Sequence, residues 1–379
     1  MDSEVNNQAV DLARSLAADI AGRATEADRE GRLPAADVAL LRDSGYLALA
    51  VPREYGGRGE SLLTCVAAQL ELASGSASTA LVAAMQHQVI GHQREVCSWR
   101  PEARDRIMRE AVAGGLLNSL ASEPKLGSPS RGGLPETTAK ADGDQLIVNG
   151  RKTWSTGGRH LTHLLVRVAF EDQPAVVLVH QGPVDTPGIE WVETWGDSLS
   201  LRATDSHDVV FRDAVVPREN LIETGDARAV PNIWFPMMLS AVYLGTALAA
   251  RDALVRYALE RVPTALGKPI ATLPKIQRQM GEIEVALMAA RALLFEVAGS
   301  WSGRDEDRPG MMARLAAAKM AVSTAANDAT EKALQAAGGA SLTRALPLER
   351  YFRDVRAAGM QPPAGDTAYE AVGRAALGL

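Results

Sequence analysis

The feature that most limits what this chain can fold into is a change in the spacing of its apolar residues. Up to about residue 115 they recur at helical spacing, as Leu12, Leu16 and Ile20 do with charges between them. From about residue 116 the period falls to 2. Residues 146–148, 164–168 and 175–179 read as strands, with further strand-like runs at 189–194 and 208–211, and Gly, Pro and Asp separate them. From Pro231 the helical spacing returns with Met238, Val242, Leu244 and Leu248, then continues through 273–301, 311–337, 348–358 and 366–377. This order predicts an α+β multi-domain chain. It has an N-terminal helical domain (1–115), a central antiparallel β-barrel or sandwich (116–227) and a C-terminal four-helix bundle (228–379). A length of 379 residues agrees with two or three subdomains, and 46% apolar with only 4% aromatic residues suits helices packed on helices.

Several function classes are excluded or disfavoured. The net charge of −6 has its signs interspersed, so no basic surface for nucleic acid is expected. GxGxxG and Walker motifs are missing, which removes the Rossmann and P-loop readings. Residues 229–250 carry no charge and are long enough to span a bilayer. Pro231, Asn232, Pro236, Ser240 and Thr246 interrupt them, and Arg251-Asp252 follows, so a buried bundle helix is expected instead. The only cysteines, Cys65 and Cys97, each fall in an apolar helical pattern and are expected as buried free thiols. With no secretory pattern at the N-terminus, a cytoplasmic location is expected.

Within the first helical region, Leu33-Pro34 opens a second helix and residues 51–59 form a turn cluster. Ser61 caps the next helix, whose Leu63, Val66, Leu70 and Ala73 line one stripe. Ser78 starts another helix that reaches His92. On it His87 and His92 lie five apart and diverge by roughly 140°, so they do not share an ion. With no CxxC or HExxH, no metal-ligand set is predicted.

The chemistry concentrates in two hydroxyl-rich segments, residues 117–128 and 146–158. Trp154 stands two residues before Thr156. On a strand the two side chains share a face, so a flat ring could be stacked by one and hydrogen-bonded by the other. The same stretch also reads as a hairpin with a core Trp.

Ser119 to Ser128 resembles the Tyr-x-x-Thr-Glu-Pro-x-x-Gly-Ser segment of the acyl-CoA dehydrogenase superfamily. Residues 152–158 resemble its Lys-x-Trp-Ile-Thr-Asn-Gly segment. Glu123, Pro124, Gly127 and Ser128 match, whereas Ser119 and Ser122 replace the usual Tyr and Thr. Residues 52–59 resemble the family's Pro-x-x-Tyr-Gly-Gly-x-Gly, and 201–217 its closing strands. The resemblance implies FAD, with Trp154 over the isoalloxazine, Thr156 at its reactive edge, Ser122 on the pyrimidine side and Ser128 near the pyrophosphate. Gln335 to Gly339 ends a helix with paired glycines and also resembles the Gln-x-x-Gly-Gly segment. That segment reaches the ADP part of FAD in a neighbouring subunit, which implies at least a dimer, with the family's tetramer, a dimer of dimers, expected. Arg261 corresponds to an arginine that meets the FAD phosphates, in a longer loop where Leu266 replaces an aromatic.

The resemblance fails at the catalytic base. The position of the family's glutamate is Pro362, and the alternative position on the first bundle helix is Phe235, followed by Pro236. Asp366 is the nearest acid and is expected to cap the final helix; Glu370 lies a turn further on. A positioned base contributes about 10²–10⁴ in rate, or roughly 3–5 kcal/mol. The resemblance implies a flavoprotein oxidoreductase that performs α,β-dehydrogenation of an acyl thioester and passes electrons to an acceptor protein. The missing glutamate keeps two alternatives open: a flavin-dependent monooxygenase of the same fold, served by a flavin reductase, and a non-catalytic flavin-binding paralogue.

Overall fold

The computed structural model describes residues 4–126, 133–182, 186–225 and 230–379. Five helices form the N-terminal part: α1 (Asn7–Glu30), α2 (Ala35–Asp43), α3 (Leu62–Gly75), α4 (Ala77–Val96) and α5 (Pro101–Val112). Side-chain caps set the starts of three of them. Asn6 accepts from the N–H of Gln8, Ser61 from that of Thr64, and Ser76 from that of Thr79. Helix α4 therefore begins at Ala77, one residue before Ser78, with Ser76 as its cap. It ends at Cys97, whose φ of +52° places it in the left-handed C-cap. Cys97 is consequently exposed, against the sequence expectation, while Cys65 is buried, and both are free.

The central layer has eight strands: β1 (Leu117–Leu120), β2 (Thr138–Asp142), β3 (Gln145–Lys152), β4 (His163–Phe170), β5 (Gln173–His180), β6 (Ile189–Val192), β7 (Asp208–Pro217) and β8 (Leu221–Thr224). Their order is β6-β7-β3-β2-β4-β5-β8, with β1 beside β4. The sheet is mixed: neighbours are antiparallel except that β1 runs parallel to β4 and Thr138 of β2 pairs in parallel with Ala169. Apolar alternation did not mark β1 and β8, which are only four residues long, or β2, whose residues 140–142 face solvent.

The C-terminal part comprises α6 (Trp234–Glu260), α7 (Pro274–Ser300), α8 (Arg308–Ala337), the short α9 (Leu348–Asp354) and α10 (Gly365–Leu377). Ion pairs fix the directions of the three long helices. Arg251 reaches Glu284 at 2.8 Å, and Lys332 lies 3.9 Å from Glu282. The C-terminal ends of α6 and α8 therefore meet the start of α7 at one end of the bundle. Among the described residues α6 alone is long and apolar enough to cross a membrane, and most of it is buried inside the protein. It packs closely because two glycines permit it. A Cβ on Gly245 would meet Leu70 O at 2.2 Å, and one on Gly91 would meet the Trp234 ring at 2.1 Å. Asp366 does not cap α10; Ala364 holds that position, and exposed Asp366 sits in the first turn, where its charge suits the helix dipole.

One arginine joins all three layers. Arg353 on α9 reaches Asp28 of α1 at 2.7 and 3.1 Å, Glu349 at 2.7 Å and the carbonyl of Leu199 at 3.2 Å. Next to it, buried Asp354 accepts the Leu201 N–H at 2.8 Å, and its carbonyl accepts from the Ser200 hydroxyl at 2.8 Å.

Candidate functional site

Strand β3 stops at Lys152, and the next residues leave the sheet. Three contacts zip the two hydroxyl-rich segments together. Thr153 N–H donates to Ser122 O at 3.0 Å, Lys152 Nζ to Glu123 Oε1 at 2.6 Å, and Asn118 Nδ2 to Thr156 O at 3.0 Å. Glu123 also accepts the backbone N–H groups of Glu136 (2.7 Å) and Thr137 (3.0 Å). Burial pushes the Glu123 carboxyl up, but the hydrogen bonds from Lys152 and Thr137 outweigh it and leave it below its ordinary value. Burial also pulls Lys152 down to about 8 against the attraction of Glu123.

Trp154 follows with φ +56°, a left-handed conformation that costs a bulky residue on the order of 1–3 kcal/mol. Its indole is 59% exposed. The Thr156 N–H turns back to Trp154 O at 2.9 Å, and the Thr156 side chain is buried. The two side chains therefore do not share a strand face, because they are not on a strand. Trp154 is not a core residue either; it forms an open shelf beside the Thr156 turn.

Behind that shelf runs a line of hydroxyls. Thr156 Oγ1 lies 2.8 Å from Ser206 Oγ, which lies 2.7 Å from Thr204 Oγ1, which donates to Leu201 O at 2.9 Å. Each hydroxyl has one proton. Every link is filled only if Thr156 donates to Ser206 and Ser206 to Thr204. Thr156 then offers any ligand a lone pair rather than a proton. Ser206 and Thr204 were legible only as part of a closing-strand pattern, not as partners of Thr156. Next to them His207 Nδ1 accepts the N–H groups of Thr194 (3.1 Å) and Trp195 (3.2 Å), which leaves its Nε2 as the protonated nitrogen facing Asp205.

Neither position the resemblance assigns to a base carries a carboxylate. Phe235 is half-buried at the start of α6, its N–H donated to Asn232 Oδ1 at 3.0 Å. Pro362 is half-buried next to Gln361, whose Oε1 accepts from buried Tyr243 Oη at 2.5 Å. Glu370, like Asp366, is exposed on α10. Glu95 is tied to Trp234 Nε1 (2.7 Å), Trp301 Nε1 (2.9 Å) and Arg308 (3.4 Å). Lys319, buried in α8, donates to Ala358 O at 2.7 Å, and burial pulls it down to about 8. His87 is fully buried with neither ring nitrogen partnered; its ring meets Tyr46 edge-on at 5.1 Å, and burial holds its pKa at about 4.

The structure brings Ser122, Trp154 and Thr156 together and puts Arg261, Gln335 and Gly339 at the far end of the bundle from Trp234. Arg261 caps the C-terminal end of α6, roughly 40 Å along that helix from Trp234. Gln335 and Gly339 are exposed at the same bundle end, with Gln335 Nε2 only 3.4 Å from its helix neighbour Glu331. Ser128 lies outside the described residues.

A helical domain, a mixed sheet and a helical bundle follow one another in this order, with an exposed indole beside a line of hydroxyls in the middle layer. Sequence profiles agree: the N-terminal, middle and C-terminal domains of acyl-CoA dehydrogenase match residues 3–114, 119–214 and 237–361. The chain belongs to the acyl-CoA dehydrogenase family. A putative acyl-CoA dehydrogenase of Bacillus subtilis, YdbM, is 40% identical over 347 residues, 90% of each chain. The butyryl-CoA dehydrogenase of Megasphaera elsdenii superposes with a TM-score of 0.86 over 100% of both chains at 23% identity, which speaks to the fold alone. TdsC of Paenibacillus sp. A11-2, solved with FMN and indole, superposes with a TM-score of 0.86 at 27% identity, covering 98% of both chains.

Proposed function

We propose that this protein is an FAD-dependent oxidoreductase that dehydrogenates an acyl thioester between Cα and Cβ. The observation that carries this reading is Trp154: an indole left open to solvent on a strained backbone, beside a hydroxyl whose proton is already committed. A residue serving only the fold would be buried, and a bulky side chain held at positive φ suits a stacking shelf. FAD would supply the acceptor for the hydride equivalent that leaves Cβ. Trp154 would cover the ring, Thr156 would stand at its reactive edge, and Ser122 would meet its pyrimidine side. Arg261, Gln335 and Gly339 would serve the ADP half from a neighbouring subunit. Their place at the end of the bundle remote from Trp234 fits this, as do exposed Leu259, Val262 and Leu342 at that bundle end. The functional assembly is thus a dimer or a dimer of dimers, with an electron-acceptor protein taking the electrons. Its two free cysteines suit the reducing cytoplasm.

A second reading is favoured by one specific observation. No carboxylate stands at Pro362 or Phe235, and Asp366 and Glu370 are exposed. A flavin-dependent monooxygenase of this fold needs no base for an α-proton, and TdsC, named a dibenzothiophene monooxygenase, is a neighbour at 26% identity. One experiment separates the readings. Under the first, the yellow protein bleaches when a short-chain acyl thioester is added anaerobically. Oxygen consumption that requires a flavin reductase, with no anaerobic bleaching, would establish the second. A colourless protein that takes up no flavin would leave the non-catalytic paralogue.

A further inference from the structure

Away from the flavin site, where α5 meets the sheet, three side chains from three elements converge. His163 opens β4, His180 closes β5, and the two are direct cross-strand partners with ring centroids 4.7 Å apart at 71°. Glu110, in the last turn of α5, sits over them, with Oε2 2.6 Å from His163 Nε2. One ligand atom from each of the three falls within 4.8 Å of the others. We propose that Glu110, His163 and His180 bind one divalent transition-metal ion of the zinc type, with solvent completing the coordination.

Glu110 Oε2 and His163 Nε2 stand in ion-pair contact at 2.6 Å, and would part to about 3 Å or more to flank one ion with bonds of about 2.0–2.2 Å. Glu110 Oε2 is buried and has no hydrogen-bond partner although His163 Nε2 is only 2.6 Å away. The approach is close, but it lacks hydrogen-bond geometry. The far side of the His163 ring is held: Nδ1 lies 2.7 Å from Thr162 Oγ1, and that hydroxyl also accepts the Leu116 N–H at 2.9 Å. With Nδ1 donating to Thr162, the Nε2 lone pair is turned toward Glu110. A second hydrogen bond of this kind orients histidines that ligate metals. Two imidazoles and a carboxylate at about 2.0–2.2 Å form a common zinc donor set. Arg106, whose charge reaches both histidines, is engaged by Glu219 at 3.1 Å and by Asn220 at 2.7 Å.

Such an ion would pin the last N-terminal helix to the sheet. Leu117 of β1 lies across from His163 in register, so the brace acts at the start of the strand that leads to Ser122. Nothing in the sequence signals it, since the ligands are separated by 53 and 17 positions and lie in two layers.

The test is titration of the metal-stripped full-length protein with Zn²⁺ against a chromophoric chelator, followed by Co²⁺ as a spectroscopic substitute. The expected result is one equivalent of Zn²⁺ bound with micromolar or tighter affinity, visible Co²⁺ absorption, and a higher Tm with Zn²⁺. His180→Ala changes an exposed residue and should fold normally; it and Glu110→Gln should weaken Zn²⁺ binding tenfold or more. His160→Ala, in the separate group around Asp205, should leave binding unchanged. No Zn²⁺ retained by the wild-type protein, or equal retention by His180→Ala, would overturn the proposal.

Discussion

Lys152 Nζ lies 2.6 Å from Glu123 Oε1, and both side chains are almost fully buried. The pair belongs to two different sequence segments, and it is what holds the hydroxyl-rich turn against the Trp154 turn. Removing one partner strands the other charge in the interior, which typically costs about 3–5 kcal/mol. Lys152→Met should therefore lose that much stability in urea unfolding. The Lys152→Met/Glu123→Gln double variant should recover part of it, because the amide is neutral and keeps an acceptor for Thr137 N–H. Strictly additive losses would mean that the pair is not coupled.

Trp154→Ala should separate cofactor retention from folding. The exposed indole contributes little burial, so the change in stability should stay within about 0.5 kcal/mol. FAD retention after gel filtration should fall by tenfold or more. A Tm that drops in step with flavin loss in the apoprotein would contradict the shelf.

His87 makes an acid-side prediction whose sign follows from burial. Its folded-state pKa is about 4 against an ordinary 6.5, so between these values the unfolded chain binds the proton and the folded one does not. Stability contributed by keeping this ring neutral is present above pH 6.5 and is lost as pH falls toward 4, by on the order of 3 kcal/mol. His87→Phe keeps the ring shape and should flatten this limb in a pH series of thermal melts. An unchanged acid limb would assign the loss to other groups.

Gln335→Ala tests the subunit arrangement. Gln335 is exposed, and among the described residues its side chain makes only a long contact to Glu331. The variant should keep its fold and its assembly in light scattering but bind FAD roughly tenfold more weakly. A monomeric wild-type protein that holds FAD tightly would remove the neighbouring-subunit role.

Much of this molecule was legible because local physics governs it. Helical spacing located α3, α7 and α8, and Ser61 announced its own cap. Chain interruptions in the uncharged run around Pro231 correctly argued for a bundle helix in α6. Short strands such as β1 and β8 were not legible, since four residues hold too few alternations to outweigh composition. Cys97 was misjudged because a periodic pattern does not show that its helix ends in a left-handed residue. The face shared by Trp154 and Thr156 failed for the same kind of reason: a single residue at positive φ reverses which side a chain presents.

By itself the sequence determined the three-layer order and the segments rich in hydroxyls, because periodicity and side-chain chemistry are properties of neighbouring residues. Only the tertiary structure decided which of those groups are open and which are committed. Trp154 is left exposed because the chain leaves the sheet there, and the Thr156 proton is claimed because the segment that leads into β7 puts Ser206 beside it. Glu110, His163 and His180 meet only because the last turn of α5 reaches the ends of the β4–β5 pair. Such convergences depend on long-range packing, which brings together atoms that no local spacing relates.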